Sequence, residues 1–222
     1  IVLDDADLRS ACAMAAFAVV THAGQGCAIT TRLLVPREKL DAAITATRDA
    51  MAGLPAADPA AAGTICGPLI SARQRERVEG YLALARAEGG TIEIGGGRPA
   101  NLEKGFFLEP TLISGLDNSA RVAREEIFGP VLVIIPHDGD ADAIRIANDS
   151  PYGLSGMVYG TDEERLNAVV DGVRTGTMGV NGGIWYSADV PFGGYKASGI
   201  GREMGVAGFT EYLECKAVAR PV

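Results

Sequence analysis

A run of five apolar residues at positions 131–135, four of them β-branched, constrains the fold more than any other feature of the sequence. Such a run fits a strand that is covered on both faces, because a strand with one solvated face alternates apolar and polar residues. Strands buried on both faces belong mainly to parallel sheets. Elsewhere short apolar runs alternate with amphipathic stretches, as in α/β proteins. We therefore predict an α/β fold with a largely parallel sheet flanked by helices.

The remaining segments supply the strands and helices that such a fold needs. The predicted strands are residues 32–35, 91–94, 131–135, 154–159 and 177–180, with a last short strand near 217–219. The predicted helices are residues 4–20, 36–51, 71–88, 140–148 and 162–173, with a last helix from Arg202. The glycine-rich stretch 181–201 is predicted as a long loop, and long loops are commonly functional.

The charge and hydropathy of the chain argue against two kinds of partner. The formal net charge is −8 at pH 7, whereas surfaces that bind nucleic acids or anionic membranes concentrate Lys and Arg. No apolar segment approaches the roughly 18 residues of a membrane span. Residues 11–20 are apolar but follow acids, unlike a signal peptide. We expect no nucleic-acid partner and no membrane partner, and, since the sequence opens on Ile1, a piece of a longer protein.

Cysteine and histidine usage bears on metal binding and compartment. The four cysteines lie far apart without a Cys-x-x-Cys pair, and the two histidines form no His-Glu-x-x-His motif. No metal site is therefore expected. Scattered cysteines favour free thiols in a reducing compartment, so we expect a cytoplasmic protein.

Cys27 is the strongest candidate nucleophile in the sequence. Gly24, Gln25 and Gly26 precede it, and glycines let a carbonyl group and backbone N–H donors approach closely. A thiol attacks as the thiolate, which requires exposure and nearby donors. Cys12, within an alanine-rich helix, fits a buried structural thiol instead. From the residues alone, Cys27 is either a nucleophile or an ordinary buried cysteine.

Five segments of the chain form a recognisable series. They are Ile-Val-Leu-Asp-Asp-Ala-Asp-Leu at 1–8, Thr-His-Ala-Gly-Gln-Gly-Cys at 21–27 followed by Thr-Arg-Leu-Leu-Val at 31–35, Phe-Leu-Glu-Pro-Thr at 107–111, Glu-Glu-Ile-Phe-Gly-Pro at 125–130, and Pro-Phe-Gly-Gly-Tyr-Lys at 191–196 with Ser-Gly at 198–199. In this order and spacing they resemble the C-terminal, cysteine-bearing portion of the NAD(P)-dependent aldehyde dehydrogenases. The resemblance covers nearly the whole chain.

The resemblance implies a chemistry and a role for particular residues. It implies oxidation of an aldehyde with NAD or NADP, through a thiohemiacetal and a thioester on a cysteine nucleophile. The implied roles are nucleophile for Cys27, auxiliary acid/base for Glu203, nicotinamide-ribose contacts for Glu126 and Phe128, and substrate contacts for Asn181, Trp185, Tyr186 and Phe192. Each position also has an ordinary interpretation: a surface or first-turn helix acid, a turn asparagine, or an aromatic residue that only packs. Glu125 is expected to be structural.

The resemblance also implies an organisation of the chain. Residues 1–200 are expected to form a catalytic domain, and residues 201–222 a C-terminal helix with an oligomerisation strand, in a homo-oligomer (dimer or tetramer). In the family, the general-base glutamate, a second oxyanion donor and the dinucleotide-binding units all precede the part that matches Ile1. Two alternatives stay open, namely a free-standing esterase or thioesterase that uses Cys27, and a non-catalytic interaction fragment.

Overall fold

The main sheet confirms the α/β prediction, in a computed structural model that describes residues 1–183 and 186–221. Its strand order is β1-β4-β3-β2, and the strands are β1 (Arg32–Pro36), β2 (Thr91–Ile94), β3 (Thr111–Ser114) and β4 (Val131–His137). The β1–β4 and β3–β4 pairs are parallel, and only the edge strand β2 is antiparallel. Residues 131–135 are all buried, as the apolar run predicts.

A second part of the sheet continues from β1 through the first residues of the chain. The strands β6 (Ser155–Val158) and β7 (Thr177–Val180) pair in parallel. The N–H of Val2 donates to the carbonyl of Leu34 at 2.8 Å, and the N–H of Leu3 donates to the carbonyl of Tyr159 at 2.9 Å. Residues 1–3 therefore join the two parallel regions edge to edge. The short strands β5 (Tyr152–Gly153) and β8 (Tyr195–Lys196) form a separate antiparallel pair that the sequence did not predict.

The helices cover the sheet, and α1, α3 and α6 begin at a residue whose side chain caps them. They are α1 (Leu8–Val20), α2 (Leu40–Ala52), α3 (Ala72–Ala87), α4 (Arg121–Arg124), α5 (Asp140–Asn148), α6 (Glu163–Gly172) and α7 (Gly205–Thr210). The helix predicted from Asp4 begins at Leu8, because the Asp7 carboxylate accepts from the N–H of Ser10 and caps it. Among the described residues, no helix is both long and apolar enough to cross a membrane.

The C-terminal residues differ from the prediction. The helix predicted from Arg202 begins only at Gly205, and the strand predicted near 217–219 is not formed. Residues 211–221 are exposed, and a strand needs a neighbour to complete its backbone hydrogen bonds. The oligomerisation role of this segment therefore stays a prediction. The backbones of Phe192 and Glu203 pair across the domain boundary expected at residue 200.

Candidate active site

Cys27 and the Glu126–Phe128 segment lie at the same edge of the main sheet. Cys27 lies shortly before β1, and Phe128 lies shortly before β4. Because β1 and β4 are parallel neighbours, with Arg32 opposite Val133, their beginnings lie side by side. The fold therefore brings together the candidate nucleophile and the residues expected to contact the cofactor.

The two segments touch through a pair of glycines. Gly24 has φ +71°, and a Cβ placed on it would lie 2.0 Å from the carbonyl oxygen of Gly129. His22 and Ala23 share the left-handed conformation, so the chain turns sharply before the cysteine. The missing side chain of Gly24 therefore makes room for another stretch of backbone, rather than for substrate as the sequence suggested.

Residues 24–31, here called the cysteine loop, carry Cys27. The side chain of Gln25 binds this loop to the segment before α3. Its Oε1 accepts from the N–H of Ile70 at 3.0 Å, and its Nε2 donates to the carbonyl of His22 at 3.2 Å. On the far side of the cysteine, the Ser155 hydroxyl donates to the carbonyl of Ala28 at 2.6 Å. The loop is thus held on both sides while Cys27 itself is exposed.

Burial separates Cys27 from two of the other cysteines. All four, each within the described residues, are free thiols, and Cys12 and Cys66 are buried. Burial raises the pKa of the Cys66 thiol to about 11, and burial also raises the pKa of Cys12. Cys215 is exposed like Cys27, so exposure alone does not distinguish those two.

Alkylation is expected to separate the thiols by their burial. At pH 8, iodoacetamide should label Cys27 quickly and leave Cys12 and Cys66 unlabelled, because a raised pKa keeps both as neutral thiols at that pH. Raising the pH toward 10 should increase labelling of Cys66 only slightly, since its pKa is about 11. Peptide mass mapping of the folded chain measures this, and prompt labelling of Cys66 at pH 8 would contradict it.

The cofactor candidates border an open cavity of about 580 Å³, which is lined by Arg73, Gln74, Arg77, Glu126 and Phe128. The Gln74 Nε2 donates to the carbonyl of Phe128 at 2.7 Å, and the Arg77 guanidinium donates to the carbonyl of Glu126 at 2.5 Å. The α3 helix therefore holds the backbone, while the Glu126 side chain is exposed and Phe128 is partly buried. The three α3 residues were not predicted from the sequence, although their polar spacing on one helix face was a usable signal.

Glu125 has the structural role that the sequence suggested. Its carboxylate pairs with Arg121 at 2.7 Å and accepts from the Tyr81 hydroxyl at 2.8 Å. The bond from Arg121, followed by that from Tyr81, lowers the pKa of Glu125 to about 2. In the part of the chain that the structure describes, no group of three or more His, Cys, Asp or Glu side chains could hold a metal ion.

Asn181 braces the end of β7. Its Oδ1 accepts from the N–H of Gly160 at 3.0 Å, and its Nδ2 donates to the carbonyl of the same residue at 2.9 Å. Ala28, next to the nucleophile, contacts Ser155 at the other end of this strand pair. These contacts favour the interpretation of Asn181 as a turn residue that fixes the backbone.

The glycine-rich loop returns to the edge where Cys27 lies. A Cβ on Gly176, at the start of β7, would lie 1.7 Å from the carbonyl oxygen of Gly193, so the two backbones are in close contact. Because Ser155 and Thr177 are opposite each other in the parallel pair, the segment around Phe192 and the residue after Cys27 pack at the same end of the sheet. The glycine-rich loop and the cysteine loop therefore lie at the same end of the β6–β7 pair.

Three candidate residues of this region, Tyr186, Phe192 and Glu203, lie close to one another. The rings of Tyr186 and Phe192 meet edge to face, with centroids 6.1 Å apart. Phe192 and Glu203 exchange two backbone hydrogen bonds of 2.7 Å. Glu203 is exposed and precedes α7, so it is not the first-turn helix acid of the ordinary interpretation. Trp185 lies outside the described residues.

An apolar face of α1 was missed by sequence analysis. Met14 and Phe17 are 43% and 44% exposed, and their three-residue spacing places them side by side on the outer face of a helix whose other face packs against the core. A Cβ on Gly182 would lie 4.0 Å from the Met14 Cε, so this face borders the start of the glycine-rich loop. The three-residue spacing of Met14 and Phe17 within an alanine-rich helix was the available signal.

Comparison with known proteins extends over almost the whole chain. Residues 1–218 match the family described as "Aldehyde dehydrogenase family". The crystal structure of a Mycobacterium tuberculosis aldehyde dehydrogenase complexed with NAD+ superposes with a TM-score of 0.94 at 47% identity, over 99% of this chain and 45% of that one. An aldehyde dehydrogenase mutant from Pseudomonas syringae, complexed with NAD+ and octanal, gives 0.94 at 39% identity, over 98% and 45%.

The length of the relatives exceeds that of this chain. A Staphylococcus saprophyticus protein is 42% identical over 220 residues, which is 99% of this chain and 46% of that protein. The chain therefore spans about half the length of the curated relatives it matches.

Proposed function

This chain belongs to the aldehyde dehydrogenase family, and on that premise we propose that it carries the cysteine-bearing part of an enzyme that oxidises an aldehyde to a carboxylic acid with NAD or NADP. The observation that supports the proposal most is the exposed thiol of Cys27, on a loop packed against Gly129, which directly follows the Glu126–Phe128 segment. A nucleophile beside a cofactor site is what covalent aldehyde oxidation requires.

Cys27 would form and release the covalent intermediate. Its thiolate attacks the aldehyde carbon, a C–S bond forms, and the carbonyl electron pair moves to oxygen, giving a thiohemiacetal. A bound NAD or NADP would supply a hydride acceptor, and departure of hydride from that carbon would leave a thioester. Water then adds, the C–S bond breaks, and the acid and the Cys27 thiol are released. The backbone N–H of Cys27 is a proposed donor to the oxyanion.

Glu126 and Phe128 would orient the nicotinamide end of the cofactor. The exposed Glu126 carboxylate can accept from two ribose hydroxyls, and the partly buried Phe128 ring offers a surface for a flat ring to pack against. The open cavity beside them has room for such a group. The NAD+ complexes of the similar structures make NAD our first choice.

The aldehyde would be received by apolar side chains around the cysteine loop. Met14 and Phe17 of α1 lie exposed near the start of the glycine-rich loop, which also carries Tyr186 and Phe192. We propose that these residues contact the carbon chain of the substrate. Glu203, exposed and paired by its backbone to Phe192, is proposed as the auxiliary acid/base.

The remaining half of the enzyme is proposed to lie in residues that the relatives have and this chain does not. The general base and the phosphate- and adenosine-binding elements would belong to that half.

Four free thiols support our proposal of a reducing, cytoplasmic compartment. An exposed Cys27 also favours a second, weaker activity, the cleavage of activated esters, because that needs only a thiolate and a reachable carbonyl.

A paired assay tests this division of labour. The 222-residue chain alone should form no measurable NADH from aldehydes, because general-base assistance is typically worth about 10²–10⁴-fold and misplacement by about 1 Å costs roughly a hundredfold. A chimera, in which this chain replaces the matched part of the M. tuberculosis relative, should form NADH. The chain alone should release nitrophenol from its acetate ester.

Cys27→Ala is the control in both preparations, and it should stop both reactions. NADH formation by the chain alone at ordinary enzyme rates would contradict the division of labour. A correctly folded chimera that forms no NADH from any of several aldehydes would contradict the proposed function itself.

A further inference from the structure

The turn that ends α5, residues 146–150, receives side chains from three separate segments of the candidate site. Arg32 begins β1 just after the cysteine loop, and Arg124 lies just before the Glu126–Phe128 segment. Lys196 belongs to β8, in the glycine-rich loop that carries Phe192. None of these three cations takes part in the chemistry proposed above.

Arg32 ties the strand after Cys27 to this turn. Its guanidinium donates to the carbonyls of Ile146 at 3.0 Å and Ala147 at 3.1 Å, and to the Oδ1 of Asn118. The last carbonyls of a helix lack partners within the helix and carry partial negative charge, so a cation there is favourable. Burial lowers the pKa of Arg32, and five donors in a fixed plane suit these several acceptors.

Lys196 ties the glycine-rich loop to the same turn. Its ammonium donates to the carbonyls of Asn148 at 2.9 Å and Ser150 at 3.2 Å. Burial lowers the pKa of this ammonium, and the residue has φ 57°, a left-handed conformation that a non-glycine side chain rarely adopts. The loop is therefore held at Lys196 against the preference of its own backbone.

Asp149 connects the Glu126–Phe128 segment, through Arg124, to the same turn. Its carboxylate accepts from Arg124 at 2.8 Å and from the Nδ2 of Asn118 at 2.9 Å. The bond from Arg124, followed by that from Asn118, lowers the pKa of Asp149. Because Asn118 also accepts from Arg32, the bonds around Asp149 and Arg32 form one network.

We propose that this turn is a shared anchor, which sets the placement of the cysteine loop, the Glu126–Phe128 segment and the glycine-rich loop relative to one another. Lys196 and Asp149 are its positioning residues. The consequence for turnover rests on the proposed function, whereas the mechanical coupling does not. Since misplacement by about 1 Å costs roughly a hundredfold in rate, a shared anchor would matter to catalysis without touching substrate.

Hydrogen exchange of the 222-residue chain tests the coupling directly. Lys196→Met removes both hydrogen bonds from the Lys196 ammonium to the turn and keeps an unbranched side chain of similar length. We expect amide exchange to rise about tenfold in residues 190–198 and also in residues 24–31, which Lys196 does not contact. Asp149→Asn should have a similar effect on residues 124–129 and 24–31. Lys196→Arg, which keeps a cation at the turn, should restore most of the protection.

Matched variants elsewhere separate coupling from general destabilisation. Lys39→Met removes another lysine bond to a backbone carbonyl, that of Asp4, and Asp138→Asn weakens another Arg–Asp pair, that with Arg37. Neither should change exchange in the site segments. Increased exchange confined to residues 190–198 in Lys196→Met would overturn the shared anchor. If Lys196→Met loses protection everywhere, α3 included, the Asp149→Asn result decides.

Kinetics of the chimera distinguish this proposal from the proposed function. Lys196→Met should lower kcat for NADH formation by about tenfold or more while the KM for NAD changes little, and Lys196→Arg should recover most of it. A chimera that is inactive while exchange is coupled would contradict the dehydrogenase function and leave the anchor standing. An active chimera whose segments exchange independently would contradict the anchor alone.

Discussion

Replacing Cys27 with alanine is expected to reduce NADH formation by the chimera at least about 10⁴-fold, the largest effect of any single substitution in this chain. Without the thiolate there is no C–S bond, and hydride transfer would have to occur from the hydrated aldehyde. The loss should appear in kcat, while binding of NAD, measured by fluorescence titration, should stay unchanged. Thermal unfolding should change little because Cys27 is exposed.

Cys215→Ala is the matched control, since Cys215 is the other exposed thiol. It should leave kcat and KM unaltered. Loss of activity in Cys215→Ala, with Cys27→Ala fully active, would reverse the assignment of the nucleophile. Cys27→Ser is a useful companion, because a hydroxyl keeps the size of the side chain but is a far weaker nucleophile at neutral pH.

Gly24→Ala is expected to produce the second-largest effect, on stability as well as on activity. A left-handed φ costs a non-glycine residue about 1–2 kcal/mol, and forcing extra atoms into a packed site typically costs about 1–3 kcal/mol. Both apply here, because φ is +71° and the new Cβ would overlap the Gly129 carbonyl. A loss of about 3 kcal/mol should lower the Tm by roughly 6–12 °C in a chain of this size.

Two other glycines separate the causes. Gly63 has φ +84° with nothing within 4 Å of an added Cβ, so Gly63→Ala should show the backbone cost alone. Gly80 lies in α3 with an ordinary φ and open space, so Gly80→Ala should stabilise by about 0.5–1 kcal/mol. Calorimetry measures all three. Equal Tm changes for Gly24→Ala and Gly63→Ala would show that the contact with Gly129 contributes nothing.

The fold could be predicted where a pattern depends on local sequence. The apolar run at residues 131–135 predicts a strand covered on both faces, and these residues are buried. Val78, Leu82 and Ala85 form the buried stripe of α3 that their spacing predicts. The strand β3 was missed because Thr111–Ser114 has only four residues with polar ends, and its burial comes from its neighbours β2 and β4. The strand near 217–219 failed for the complementary reason, because a strand is specified by its partner as much as by its residues.

The candidate site shows the same difference between features that depend on local sequence and features that depend on distant parts of the chain. Cys27, Glu126 and Phe128 were proposed from short segments that resemble those of the aldehyde dehydrogenases, and their roles stay predictions. The contact between Gly24 and Gly129 could not be read, because it joins backbones about a hundred positions apart. The role of the turn at residues 146–150 could not be predicted either. Arg32 and Lys196 bind its backbone carbonyls, which have the same chemistry in every residue.

The claim that Cys27 forms the covalent bond to the aldehyde carbon is tested most directly by the mass of its peptide during turnover. The chimera would be mixed with NAD+ and octanal, the aldehyde in the P. syringae complex, and quenched with acid within the first turnover. We expect an octanoyl group on the peptide that contains Cys27, and no such group when NAD+ is left out. NADH formation at full rate with an unmodified Cys27 peptide, or with the acyl group on Cys215, would contradict it.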